Sequence, residues 1–90
     1  MVVDPPSGGL TTVFTITWAA NHAPDGYAFD VQYKWPGATK WKPWNILQNG
    51  NFSTFTADHG KGTYSFRARY HNTTTDAKSG YSPVASIVVS

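Results

Sequence analysis

Three features of the sequence predict an all-β chain folded as an antiparallel β-sandwich or small barrel. Apolar residues recur at every second position in one segment after another, clusters of Gly, Pro, Asn and Asp separate those segments, and no stretch sustains a helical period. At least six such segments follow one another at short spacing, the pattern of stacked antiparallel sheets rather than of strands alternating with helices.

Residues 1–11 read as a linker-like segment, rich in Pro and Gly, with room for a first strand. "VFTITWAA" sets Phe14, Ile16 and Trp18 on one face against Thr15 and Thr17 on the other, as a strand half in a core and half in water would. Pro24-Asp25-Gly26 turns the chain. In "AFDVQYKW", Phe29, Val31, Tyr33 and Trp35 alternate with Asp30, Gln32 and Lys34, and Pro36-Gly37 ends the run. "TKWKPWNIL" contains Pro43, which lacks a backbone donor, so this strand is expected at a sheet edge. Asn49-Gly50 is a favoured hairpin pair, after which "FSTFTA" is expected to run back beside its predecessor or to cross to the opposite sheet. "TYSFRARY" is the most regular alternation and is expected centrally in its sheet. A polar loop, "NTTTDAKSG", leads to "YSPVASIVV", with Ala85, Ile87 and Val89 expected inward.

Ninety residues suit a single core. A chain that is 40% hydrophobic and only 13% charged lies outside the composition of disordered segments, so it is expected to fold. The absence of Cys excludes disulfides, zinc-thiolate sites and thiol nucleophiles. A net charge of +2 is too small a field to imply nucleic acid. No apolar run approaches the roughly 20 residues of a membrane helix, and the first ten residues lack a basic region followed by an apolar one; no membrane partner is expected. Without disulfides, so small a domain needs most of its fourteen aromatic rings in the core.

Tyr64, just after Gly62-Thr63, stands where immunoglobulin-like sandwiches place a tyrosine whose hydroxyl bonds back to the preceding corner. With Trp18 in "TITWAA", "GYAFDVQYKW", "GTYSFRAR" and "GYSPVASIVV", the chain resembles a fibronectin type III domain over residues 12–90. "GTY-x-FRxR" and the W-x-x-W from Trp41 to Trp44 are most similar to bacterial members. It departs from the family at "ADHGKGTY", where His59 takes the place of a leucine. The resemblance implies an immunoglobulin-like antiparallel sandwich of about seven strands, with Trp18, Tyr33, Tyr64 and Phe66 in its core. It also implies a monomeric, noncatalytic spacer or interaction module of a larger, secreted or cell-surface bacterial protein, such as an enzyme acting on polysaccharides. Its expected partners are then neighbouring domains of the same polypeptide and, in the alternative reading, polysaccharide or protein.

The residues offer little to catalysis. There is no Glu, and the five Asp are scattered, so a glycosidase-like carboxylate pair would have to be assembled from distant loops. Asp58 and His59 are adjacent and on a strand would point apart, and no Gly-x-Ser-x-Gly elbow accompanies them. His22, His59 and His71 lack the spacing of metal ligands, and Gly8-Gly9 and "GKGT" lack that of a phosphate loop. No catalytic, cofactor-binding or metal residue is therefore assigned, and the cell-adhesive Arg-Gly-Asp tripeptide is absent.

Two surface readings remain. Lys34, Arg67 and Arg69 share one sheet face near Trp35 and Trp41, forming either a strip for an anionic polymer or a nucleic acid strand, held by stacking and charge, or an ordinary solvated face balanced by Asp30. Of the central tryptophans, Trp44 is expected to be packed, whereas Trp35 and Trp41 are expected to be exposed and are the candidate ligand-stacking residues, since sugar rings have apolar faces that stack on indoles.

Overall fold

Each alternating segment becomes a strand in the computed structural model, which describes residues 1–90 and contains no helix. The strands are β1 (Val2–Asp4), β2 (Ser7–Gly8), β3 (Phe14–Thr17), β4 (Tyr27–Lys34), β5 (Lys42–Gln48), β6 (Phe52–Phe55), β7 (Gly62–Asn72) and β8 (Ala85–Val89). They form a three-stranded sheet, β1-β3-β6, and a five-stranded sheet, β2-β8-β7-β4-β5. β7 is central and β5, with its Pro43, is an edge, as their alternation and proline predict.

The first segment, read as linker-like with room for a first strand, supplies two short strands, β1 and β2. β1 pairs antiparallel with β3, and β2 pairs parallel with β8, so the first residues leave one sheet and join the other across Pro5-Pro6. Asn49-Gly50 makes no hairpin: the chain crosses between sheets there, and β6 pairs with β3. Tertiary bonds override the turn preference. Ala23 donates its N–H to Asn49 at 2.8 Å and Trp18 donates its N–H to Asn51 at 2.9 Å. The Trp18 indole N–H reaches the Gly50 carbonyl at 3.0 Å. Pro36-Gly37 does turn the chain. Ala38 N–H bonds to Trp35 O at 3.0 Å, and Gly37 takes the positive φ of 83° required at the third position of such a turn.

Between the sheets, Phe14 and Ile16 of β3 and Phe55 of β6 meet Phe29, Val31 and Tyr33 of β4, Tyr64 and Phe66 of β7, and Ile87 and Val89 of β8, all buried. Ala85 is only half-buried. Trp18, just beyond β3, is 7% exposed. Its ring meets Phe29 and Trp44 edge to face, at centroid distances of 6.3 and 6.1 Å. Trp44 packs against the same core, 5.1 Å from Phe66.

The bend into β7 is held by Tyr64. Its ring is fully buried, while its hydroxyl donates to Gly60 O at 2.7 Å and accepts the His59 N–H at 2.8 Å. A buried phenol thus has both its donor and an acceptor lone pair used by the backbone of the loop that leads into β7.

Candidate functional site

Strand alternation sends Asp30, Gln32 and Lys34 of β4 and Ser65, Arg67, Arg69 and His71 of β7 to the face turned away from the core. The register places Asp30 opposite Arg69, Gln32 opposite Arg67, and Lys34 opposite Ser65. Trp41, ahead of β5, and Tyr81, ahead of β8, fold over this face. Lys34 Nζ lies 5.0 Å from the Trp41 ring centre, and the Arg67 guanidinium lies 4.4 Å from Trp41 and 3.8 Å from Tyr81. Arg69 continues the series 4.7 Å from Tyr81. The result is a ladder, Lys34–Trp41–Arg67–Tyr81–Arg69, in which each ring carries two cations. Arg67 also donates from Nε and Nη2 to Gln32 Oε1, at 3.0 and 2.8 Å. The ion pairs of the molecule involve Arg69, Lys78, His59 and His71, and neither Lys34 nor Arg67 is in one.

Asp30 corrects the reading of a solvated, balanced face: it is only 2% exposed. Its Oδ1 accepts the Leu47 N–H at 3.2 Å, and its Oδ2 accepts Arg69 Nε at 3.2 Å and lies 3.0 Å from His71 Nδ1. The pairing of β4 with β5 is irregular on either side of Val31, and Leu47 has a φ of 56°, so the Asp30 carboxylate takes a backbone donor that the bulged ladder leaves over. Burial pushes the Asp30 carboxyl up. The bonds from Leu47, His71 and Arg69 outweigh it and hold the group below its ordinary value. His71 turns its other nitrogen to Asp76 Oδ1 at 2.5 Å, bridging two carboxylates, and the bonds from His71 and Lys78 lower Asp76 as well. The bridge is complete only when both ring nitrogens carry protons.

The two candidate stacking residues are neither freely exposed nor together. Both are half-buried. Trp41 lies on the outer face, under Lys34 and Arg67. Trp35 has the strand parity of Tyr33 and packs at the rim of the core, 5.7 Å from Tyr33 and stacked on His59 at 4.0 Å, with Lys42 Nζ 5.4 Å from its ring centre. The sheet separates them, so they form no joint platform, and the cationic strip has Trp41 beside it but not Trp35. A second correction concerns Asp58 and His59. They lie in the loop between β6 and β7, not on a strand, so alternation does not part them: His59 Nδ1 is 2.8 Å from Asp58 Oδ1. Asp58 Oδ2 also accepts the Tyr33 hydroxyl at 2.9 Å. Burial first, then the bond to Asp58, its charge and that of Tyr64, push the Tyr33 phenol up to about 12.

The largely apolar recess between Trp18, Phe29, Ala68, Tyr70 and Tyr81 holds about 210 Å³, and its one charged side chain, Arg69, is already paired with Asp30. A more polar cleft at one pole, by His22, Asp25, Asn49 and Thr73, also lacks a convergent pair of acid and base. No three His, Cys, Asp or Glu side chains are gathered so as to hold a metal ion, and no helix is long and apolar enough to cross a membrane. Sequence reading missed Tyr81 as a rung of the ladder and Asp30 as a buried hub; an aspartate in mid-strand, where that residue is depleted, was the available signal for the second. No family model matches the chain, and no curated protein matches it.

Proposed function

We propose that the chain is a fibronectin type III domain that acts without catalysis, as a spacer and interaction module of a larger secreted bacterial protein such as an enzyme acting on polysaccharides. Counted as two halves of one first strand, β1 and β2 bring the eight strands to the seven such a sandwich calls for. The buried Trp18 and the hydroxyl of Tyr64 on its corner support the same reading.

The spacer role rests on one observation: the two ends of the chain lie at opposite poles of an elongated body. Val2 pairs with Thr17, toward the pole where Phe29 meets Tyr70, whereas Val89 pairs with Gly62 at the far end of the long strand β7. The body measures 41 × 26 × 19 Å, so domains attached toward its two poles would be held apart by a rigid, elongated body. Placed between two fluorescent reporter proteins, the chain is expected to give an energy-transfer efficiency set by one rigid body length. That efficiency should collapse to the value for a flexible linker only in denaturant. Native-state transfer equal to that of a disordered linker of the same length would reject the spacer role.

A further inference from the structure

The outer face of the five-stranded sheet carries a charge arrangement that the spacer role does not use. We propose that Lys34, Arg67 and Gln32, with the hydroxyls of Ser65 and Ser86 and the edge of Trp41, form a binding strip for a linear acidic polysaccharide bearing uronate carboxylates. This goes beyond the spacer reading and does not rest on it.

Charge complementarity is the first argument. At the other end of the ladder Arg69 is neutralised by the buried Asp30, while Lys34 and Arg67 have no carboxylate partner. Lys34 Nζ and the Arg67 guanidinium lie 5.0 and 4.4 Å from the centre of one indole, so two charges without a carboxylate partner flank Trp41 and attract an external polyanion. The ladder also fixes their positions, so little side-chain freedom is lost when a ligand docks.

The surroundings select among anions. Ser65 stands opposite Lys34 across the sheet and its hydroxyl lies 3.1 Å from that of Ser86, so a strip of hydroxyl and amide groups borders the two charges. Such a strip suits the alternating carboxylate and hydroxyl groups of a polyuronate. Nucleic acid bases need an open aromatic face, and the rings of Trp41 and Tyr81 are already engaged by cations. An acidic peptide cannot add to this face as a further strand, because β4 and β7 are each paired on both sides.

Affinity electrophoresis in gels containing polygalacturonate, at low salt, tests the proposal. The intact chain is expected to be retarded by polygalacturonate, more strongly than by poly-glutamate or an oligo-dT strand, and to be released as salt rises. Lys34→Gln is expected to weaken the binding about tenfold, the loss of one charged hydrogen bond. Ser86→Ala, an exposed change that leaves the ladder intact, should weaken it less. Amide shift mapping with an oligogalacturonate should confine the response to residues around Lys34, Trp41, Ser65, Arg67 and Ser86. Absence of retardation, equal retardation by the peptide or DNA polymer, or an unchanged Lys34→Gln variant would each overturn the proposal, and none of these bears on the reporter distances that test the spacer.

Discussion

The Tyr64 hydroxyl donates to Gly60 at 2.7 Å while accepting the N–H of His59 at 2.8 Å, so one phenol closes the loop that carries the chain from one sheet to the other. Removing only the oxygen, in Tyr64→Phe, leaves the ring in the core and two backbone groups without their partner. The expected cost is about 1–3 kcal/mol. It should appear in urea denaturation as a lower midpoint with an unchanged slope.

Trp18 tests the core itself. Trp18→Ala removes an indole that meets Phe29 and Trp44 and whose N–H holds the Gly50 crossing. A loss of about 3–5 kcal/mol is expected, a large share of the stability of any small domain. A variant that melts with the parent would show that the two sheets do not depend on this ring.

Gly62 starts β7 with a φ of 134°, and a Cβ there would stand 2.6 Å from Cβ of Pro36. Gly62→Ala therefore meets a forbidden backbone region and a rigid ring together. It should destabilise by at least about 1–3 kcal/mol, read from thermal unfolding. Gly37→Ala, at a turn with open space around it, meets backbone strain alone and should cost less.

Acid should loosen the molecule through Asp30 and Asp76. Their folded-state values are lowered, so their stabilising contribution is present above the ordinary carboxylate range of about 4 and is lost as pH falls through the lower, folded values. Unfolding free energy measured from pH 6 downward should decline below about pH 4, and Asp30→Asn should decline less steeply. An identical slope in that variant would separate Asp30 from acid stability.

Tyr33 gives the opposite limb. Its phenol is raised from 10.0 to about 12, so the stability it adds is full below pH 10 and is lost as pH rises through about 12. Absorbance titration of the phenolate should show a late-ionising contribution that Tyr33→Phe removes.

Much of this was legible from alternation alone. The strand from Gly62 to Asn72 shows its inward and outward faces in its sequence, and Tyr64 shows its corner because a turn and a regular strand flank it. The same rule, applied to Trp35, puts it on the side of Tyr33 and away from Trp41, so the division of the two indoles was present in the pattern too. What was not legible depends on partners distant in sequence. Asp30 is buried by Arg69, His71 and the N–H of Leu47, none of which its neighbours announce. Asn49-Gly50 has hairpin chemistry, yet Trp18 and Ala23 claim its backbone. Asp58 and His59 pair because a loop frees them from the strand period.

The parallel contact of β2 with β8 has a mechanical side. Pulled from its two poles, the chain would draw these neighbours in opposite directions along a common axis. The bonds from Ser90 to Gly8 at 2.9 Å and from Val88 to Pro6 at 3.4 Å would then bear the load together in shear, instead of opening one after another like a zip.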